Sequence, residues 1–244
     1  MACMARPRWI ILAFVNMLTP PGPRTGPITL EIEVVYDLVC PWCYLGVRRL
    51  LRALRRRSDI RTLLAWRPFL LNPDMPRGGL SRADYVLRKY GGEERARRLY
   101  ASITEIGRNE AVTFRFDRIR RTPSSVDAHR LVGWATRLGQ AGELVEMLFS
   151  AHFAEGLEIG DEATLIAIAG AAGLDTVAAR EFLRSEADLE SVHAENLRAH
   201  RLGINGVPCF VIAGRHAIAG AQEPEVIDRL LDVAVLEARE LLPI

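Results

Sequence analysis

The sequence is short of the features that mark several classes of protein. It has only four cysteines in 244 residues, too few to hold a fold of this size together with disulfides. Basic and acidic residues nearly balance at a formal net charge of +2, so charge indicates no particular partner. With 49% hydrophobic and 25% charged residues, the composition is globular and argues against disorder or a charge-driven nucleic-acid binder. The length fits one large domain, or one domain inserted into another.

Long apolar runs are missing as well. The one run in the first thirty residues, 9–18, is shorter than the roughly 18 residues that cross a bilayer, so we expect no stable membrane association. Arg6 and Arg8 before it imitate a secretory signal, but 19–23 is proline-rich and lacks a small-x-small cleavage site. We interpret residues 1–28 as an extension that is disordered or not part of the native domain. We therefore expect a cytoplasmic protein, with export as the alternative if the segment is a working signal.

Apolar periodicity divides the rest of the chain into an α/β part and a helical part. It predicts strands over 29–37, 60–69, 207–212 and 216–219, a helix from Pro41, a closing helix over 223–241, and roughly six or seven helices between 81 and 202. Helix caps are predicted at Ser81, at Ser124 or Ser125, at Asp161 and at Asp175. This order predicts an α/β fold, a thioredoxin fold interrupted by a large all-helical insertion. We assign 29–77 and 203–244 to the thioredoxin-like domain and 78–202 to the insertion.

Two of the cysteines, Cys40 and Cys43, stand three residues apart where the first helix is predicted to begin. This spacing places both sulfurs on one helix face, within reach of a disulfide. Cys40 at the helix N-terminus is the predicted nucleophile, because the helix dipole stabilises its thiolate. Cys43, one turn further in, is expected to be more buried and to resolve a mixed disulfide between Cys40 and substrate. Pro41 and Trp42 are predicted to tune the reaction and to contact substrate.

Half of a zinc site is the structural alternative for a single C-x-x-C. Structural zinc takes four ligands, and the sequence offers no second cysteine pair at a fitting interval and only scattered histidines. We therefore predict a redox pair and no metal.

A second motif, Gly206-Val207-Pro208, opens the strand after the helical block. A proline at a strand start is unremarkable alone. A cis Val207–Pro208 bond is the functional interpretation, because it would expose the Val207 backbone beside the sulfurs for pairing with a substrate strand.

The motifs together resemble the FrnE-like branch of the DsbA family. The resemblance runs from about residue 29 to the C-terminus and rests on four segments: Tyr36–Gly46 (YDLVCPWCYLG), Trp66–Pro73 (WRPFLLNP), Asp127–Leu131 (DAHRL) and Gly206–Pro208 (GVP). It implies a thioredoxin fold with a helical insertion, a redox site at Cys40 and Cys43, and a cis-proline at Pro208. Similar proteins are often cytoplasmic, and some are associated with polyketide biosynthesis.

Two further residues carry open interpretations. Proteins of this kind usually have phenylalanine where this chain has Cys209, which is either a small buried core residue or a third thiol that exchanges with Cys40. His129 is either a surface or satisfied polar group, or it lines the substrate groove or stabilises the Cys40 thiolate. The arginines of the first helix are interpreted as a solvated face: Arg48, Arg49, Arg52, Arg55, Arg56 and Arg57.

The sequence thus predicts a protein-disulfide oxidoreductase that exchanges disulfides with protein or small-molecule substrates. The rival is a glutathione-dependent isomerase similar to 2-hydroxychromene-2-carboxylate isomerases, which typically have serine at the position of Cys40. A non-enzymatic interaction module is the third alternative. We expect no bound cofactor, with glutathione as an alternative co-substrate, no nucleic-acid partner, and a homodimer as one open oligomeric state.

Overall fold

A computed structural model describes residues 26–241. The expected extension over 1–28 therefore lies almost wholly outside the described residues. Four strands form a mixed sheet in the order β2-β1-β5-β6: β1 (Ile28–Tyr36), β2 (Ile60–Pro68), β5 (Cys209–Ile212) and β6 (His216–Ala219). β1 is parallel to β2 with Ile28 opposite Ile60, and antiparallel to β5 with Ile32 opposite Ile212. This confirms the predicted α/β fold.

The two central strands, β1 and β5, are rich in β-branched and apolar residues, and the end of β1 and its partner β5 are buried on both faces. On one face Ile32, Val34 and Phe210 pack against α1 (Pro41–Arg55) and α9 (Pro224–Glu240). On the other face Val35 and Cys209 pack against α8 (Leu189–Arg201). Helix α1 and Cys209 therefore lie on opposite sides of the sheet.

Helices fill most of the chain between β2 and β5. Among the described residues these are α2 (Arg82–Tyr90), α3 (Glu93–Asn109), α4 (Val126–Arg137), α5 (Ala141–Ser150), α6 (Glu162–Ala171), α7 (Thr176–Arg184) and α8. A π-helical turn (Ala151–Glu155) extends α5, and the two-residue strands β3 (Leu80–Ser81) and β4 (Arg121–Thr122) pair with each other. No helix within residues 26–241 has the length and apolarity needed to span a membrane.

The predicted caps agree with the structure at three positions. The side chains of Ser81, Asp161 and Asp175 accept hydrogen bonds from backbone N–H groups of the first turns of α2, α6 and α7. At α4 the two predicted alternatives differ: Ser125 occupies the cap position without such a bond, whereas the Ser124 hydroxyl accepts from the Val126 N–H, the first of α4, at 3.5 Å. The structure therefore favours Ser124 of the two.

Candidate functional site

The redox motif occupies the short turn between β1 and α1. Cys40 is the N-cap residue in an extended conformation, and Pro41 takes the first helical position, where its missing N–H costs nothing. The Cys40 N–H donates to Asp37 O at 3.0 Å, and the Cys43 N–H donates to Cys40 O at 3.0 Å. The turn thus holds both cysteines on the first turn of a helix anchored to the centre of the sheet.

The two sulfurs differ in their surroundings. The Cys40 residue is 4% exposed and Cys43 is fully buried. Cys43 Sγ accepts a hydrogen bond from the Asp37 N–H at 3.5 Å. Burial raises the pKa of the Cys43 thiol well above its usual value, and the neighbouring Cys40 sulfur raises it further. Cys43 is thus the more buried of the two cysteines, and it is held as a thiol.

Pro208 faces the same helix from the start of β5. The Val207–Pro208 peptide bond is cis, Pro208 is buried, and Val207 is half-buried. Cys40 Sγ lies 3.7 Å from Val207 O, the geometry of a weak thiol hydrogen bond. The fold therefore brings together Cys40, Cys43, Val207 and Pro208, residues that are far apart in the sequence.

The rim of the site is formed by half-buried residues. Pro41 and Trp42, on the first turn of α1, are half-buried, and so is Val207 in the segment before β5. A cavity of about 540 Å³ begins at Val207 and is lined by residues that include Leu202, Ile204 and Cys209. Because Cys209 lies on the face of the sheet opposite α1, this cavity meets the surface around Cys40 only at Val207.

Cys209 packs as a small apolar residue. It is 4% exposed and clusters with Val35, Phe69 and Ala199, separately from the core cluster that contains Cys40 and Cys43. Burial raises its thiol pKa. Of the two interpretations of Cys209, the structure favours the core residue.

His129 lies in the interior. It is 1% exposed, and its ring contacts Tyr36 edge-on at 5.0 Å between centroids. Its Nε2 atom lies 3.5 Å from Asp37 Oδ1. A side chain this buried does not line a groove, so that interpretation of His129 disagrees with the structure. His129 lies beside Asp37, the residue whose N–H donates to Cys43 Sγ.

One buried arginine, Arg130, had no role in the sequence interpretation. Arg130, 2% exposed, donates to the carbonyl oxygens of Phe182, Ser185 and Ala187 near the end of α7 and pairs with Asp127. Two residues of the Asp127–Leu131 motif therefore connect α4 to the end of α7. The i, i+3 spacing of Asp127 and Arg130 is the sequence feature that could have predicted their ion pair.

The basic face of α1 is paired with acidic residues. Arg49 is 5% exposed and donates to Glu110 at 2.7 Å and to Ala221 O at 2.8 Å, while Arg52 also pairs with Glu110. Our expectation of a solvated face was wrong for Arg49. The reason is that the segment after α3 and the loop before α9 cover this side of α1.

A mixed sheet, a helix that begins at a C-x-x-C pair, and a cis-proline strand beside it define a thioredoxin-fold protein with a dithiol site. The chain belongs to the DSBA-like thioredoxin domain family, whose model matches residues 31–232.

Solved structures agree with this assignment. A probable DsbA oxidoreductase from Streptomyces coelicolor is 28% identical, with a TM-score of 0.77, and the alignment covers 88% of this chain and 92% of that one. The cytosolic disulfide reductase DsbM from Pseudomonas aeruginosa, solved with GSH, is 21% identical, with a TM-score of 0.59 and coverage of 84% and 99%. A 2-hydroxychromene-2-carboxylate isomerase is 15% identical, with a TM-score of 0.64 and coverage of 87% and 100%. The last two likenesses show the fold alone.

Proposed function

We propose that this protein is a protein-disulfide oxidoreductase of the FrnE-like branch, exchanging disulfides through Cys40 and Cys43. The observation that supports it is the pairing of a helix-cap cysteine beside Val207 O with a buried cysteine one turn inside. Cys40 attacks a substrate disulfide as a thiolate, favoured by the helix N-terminus, and releases one substrate thiol. Cys43 then attacks Cys40, which releases the second thiol and closes the Cys40–Cys43 disulfide.

Substrate binding in this proposal uses the surface around Cys40. An extended substrate segment pairs with the Val207 backbone and rests on Trp42 and Pro208. Glutathione is the proposed small-molecule co-substrate, supported by the GSH in the DsbM structure. The cytosolic setting of that neighbour also supports our proposal of a cytoplasmic location.

The test is a pair of single-cysteine variants. Cys43→Ser is expected to accumulate glutathione on Cys40 as a mixed disulfide when treated with oxidised glutathione, and to lose multiple turnover, because no resolving thiol remains. Cys40→Ser is the matched control and should capture none. Intact-mass analysis and a steady-state disulfide reduction assay measure both outcomes. Undiminished steady-state activity of Cys43→Ser would instead support the glutathione-dependent isomerase, which needs no resolving cysteine.

A further inference from the structure

A cavity with an aromatic wall and an arginine lies in the insertion. It has a volume of about 590 Å³ and is lined by residues of α2, α3 and the segment 114–117. Small-molecule sites have this size and combine mainly apolar walls with a few polar groups that fix the ligand. None of the lining residues belongs to the site around Cys40 and Cys43. The cavity is therefore a candidate for a second site.

Three stacked rings form the aromatic wall. The Tyr100 and Phe116 centroids lie 4.2 Å apart, and the Phe116 and Phe114 centroids lie 5.3 Å apart. Phe114 is buried, whereas Tyr100 and Phe116 are half-buried and line the cavity. Uncovered aromatic surface attracts another ring more strongly than the buried area alone explains.

Arg82 supplies the polar group at this wall. Its Cζ atom lies 4.7 Å from the Tyr100 ring centroid and 5.7 Å from that of Tyr85. Its Nη1–H donates to Thr122 Oγ1 at 3.2 Å, the one hydrogen bond that the guanidinium makes within residues 26–241. The edge formed by Nε–H and Nη2–H is thus left for an acceptor, and this edge fits a carboxylate with two parallel hydrogen bonds.

The other arginines of the cavity already have acidic partners. Each of the three pairs with a carboxylate: Arg97 with Glu94, Arg108 with Glu105, and Arg115 with Asp117. Glu93 also lines the cavity, but it is exposed and forms no ion pair with Arg82. In the described part of the chain, Arg82 is therefore the lining arginine that lacks a negative partner.

We propose that this cavity binds a small planar aromatic acid. The carboxylate of the ligand accepts two hydrogen bonds from the open edge of Arg82, and its ring packs against Tyr100 and Phe116. The guanidinium is already held by two rings and a hydroxyl, so little side-chain freedom is lost on binding. The charge selects an acid over an alcohol, and the rings select an aromatic acid over an aliphatic one. This binding does not depend on disulfide exchange.

Naphthalene-2-carboxylate is the probe for this site, titrated into the full chain and followed by NMR. We expect saturable binding with a Kd of about 1 mM or lower, which a ligand of this size can reach. 2-Naphthalenemethanol lacks the charge and should bind at least roughly 10-fold more weakly. Cyclohexanecarboxylate lacks the aromatic ring and should bind roughly 2- to 10-fold more weakly. Equal affinity for all three compounds would overturn the proposal.

Arg82→Gln should weaken binding of the carboxylate by roughly 10- to 100-fold and leave binding of the alcohol unchanged. Arg88→Gln is the matched control, because Arg88 lies on the same helix and is exposed outside this cavity. It makes the same change of charge and should keep the wild-type affinity. An equal loss of affinity in the two variants would mean that general charge, not the Arg82 edge, attracts the acid.

Contacts between ligand and protein in the wild type test the location even where Arg82→Gln fails to fold. Nuclear Overhauser effects are expected between the ring protons of the probe and those of Tyr100 and Phe116. Effects confined to residues around Cys40 would place the acid in the exchange site and overturn the proposal. The absence of saturable binding up to about 5 mM would also overturn it, since a site of this composition should bind more tightly.

Discussion

A β-carbon added at Gly46 would lie 2.7 Å from Pro208 Cγ. Such a contact is shorter than van der Waals separation, so the third residue after Cys43 must be glycine for α1 to approach the cis-proline this closely. The same atom would lie 3.2 Å from the Phe210 ring and 3.4 Å from Ala221 Cα. Gly46 therefore sets the distance between the cysteine helix and the strand that faces it.

Gly46→Ala is accordingly expected to lower the free energy of unfolding by about 1–3 kcal/mol, through overpacking of a closely packed contact. It should also slow the first release of thionitrobenzoate from 5,5′-dithiobis(2-nitrobenzoate), the step in which Cys40 attacks this disulfide reagent, because the shift moves Val207 away from Cys40. Gly142→Ala in α5 is the matched control, since nothing lies within 4 Å of its added β-carbon. That variant should be neutral or more stable by up to about 1 kcal/mol. Urea denaturation measures both, and equal stability of the two variants would contradict the close-approach explanation.

The parts of this fold that could be predicted are those in which local pattern and packing agree. β1 is a largely buried, β-branched segment of strand length, β2 is a half-buried one, and α1 begins at a proline after an extended residue. The two-residue strands β3 and β4 leave no periodic signal because they are too short. The π-helical turn over Ala151–Glu155 was also missed, since its sequence continues the apolar pattern of α5.

The sequence predicted the positions of the two cysteines of the site, but not the burial of the residues around them. Strand alternation gave a signal for Cys209, because neighbouring residues of β5 face opposite sides and Phe210 faces α1. The burial of Arg49 and His129 had no such signal. Each depends on a partner distant in sequence, Glu110 for Arg49 and Asp37 for His129, which only the packing of the insertion brings near.

The Arg49–Glu110 pair provides a test of how α1 is fixed to the insertion. Their side chains are 6% and 7% exposed, so removing one partner leaves a buried charge. Glu110→Ala should lower the free energy of unfolding by about 3 kcal/mol, the low end for such pairs, because Glu223 still faces Arg49 at 3.1 Å. Glu105→Ala removes an exposed ion pair with Arg108 and should change stability by less than about 1 kcal/mol. An equal decrease in the free energy of unfolding for the two variants would show that the burial of an ion pair does not determine its contribution to stability.

Cys209→Ala tests the separation of the third thiol from the redox pair. The substitution should cost about 1 kcal/mol of stability, typical of a small loss of buried volume. It should leave unchanged both releases of thionitrobenzoate from 5,5′-dithiobis(2-nitrobenzoate), the first on attack by Cys40 and the second when Cys43 resolves the mixed disulfide. The reason is that Cys209 clusters on the face of the sheet opposite α1. Peptide mapping of oxidised wild-type protein is expected to show a Cys40–Cys43 linkage. A Cys40–Cys209 linkage, or a slower second release in Cys209→Ala, would restore the third-thiol interpretation.

His152 predicts how stability depends on pH. Burial lowers its pKa to about 4, because the interior disfavours the imidazolium, and its Nδ1–H donates to Leu157 O at 3.3 Å. The unfolded chain binds this proton near the ordinary value of about 6.5. The unfolded state therefore holds more protons between these values, so stability present above about pH 6.5 is lost as pH falls towards 4.

The size of this loss follows from the difference between the two pKa values, which corresponds to about 3 kcal/mol. Urea denaturation from pH 7 to pH 4 measures it as the difference between wild type and His152→Gln, which keeps a donor for Leu157 O but does not titrate. His193→Gln is the control at an exposed histidine and should follow the wild type. Parallel pH profiles for wild type and His152→Gln would mean that His152 folds with an ordinary pKa, and the acid sensitivity would then belong to the carboxylates.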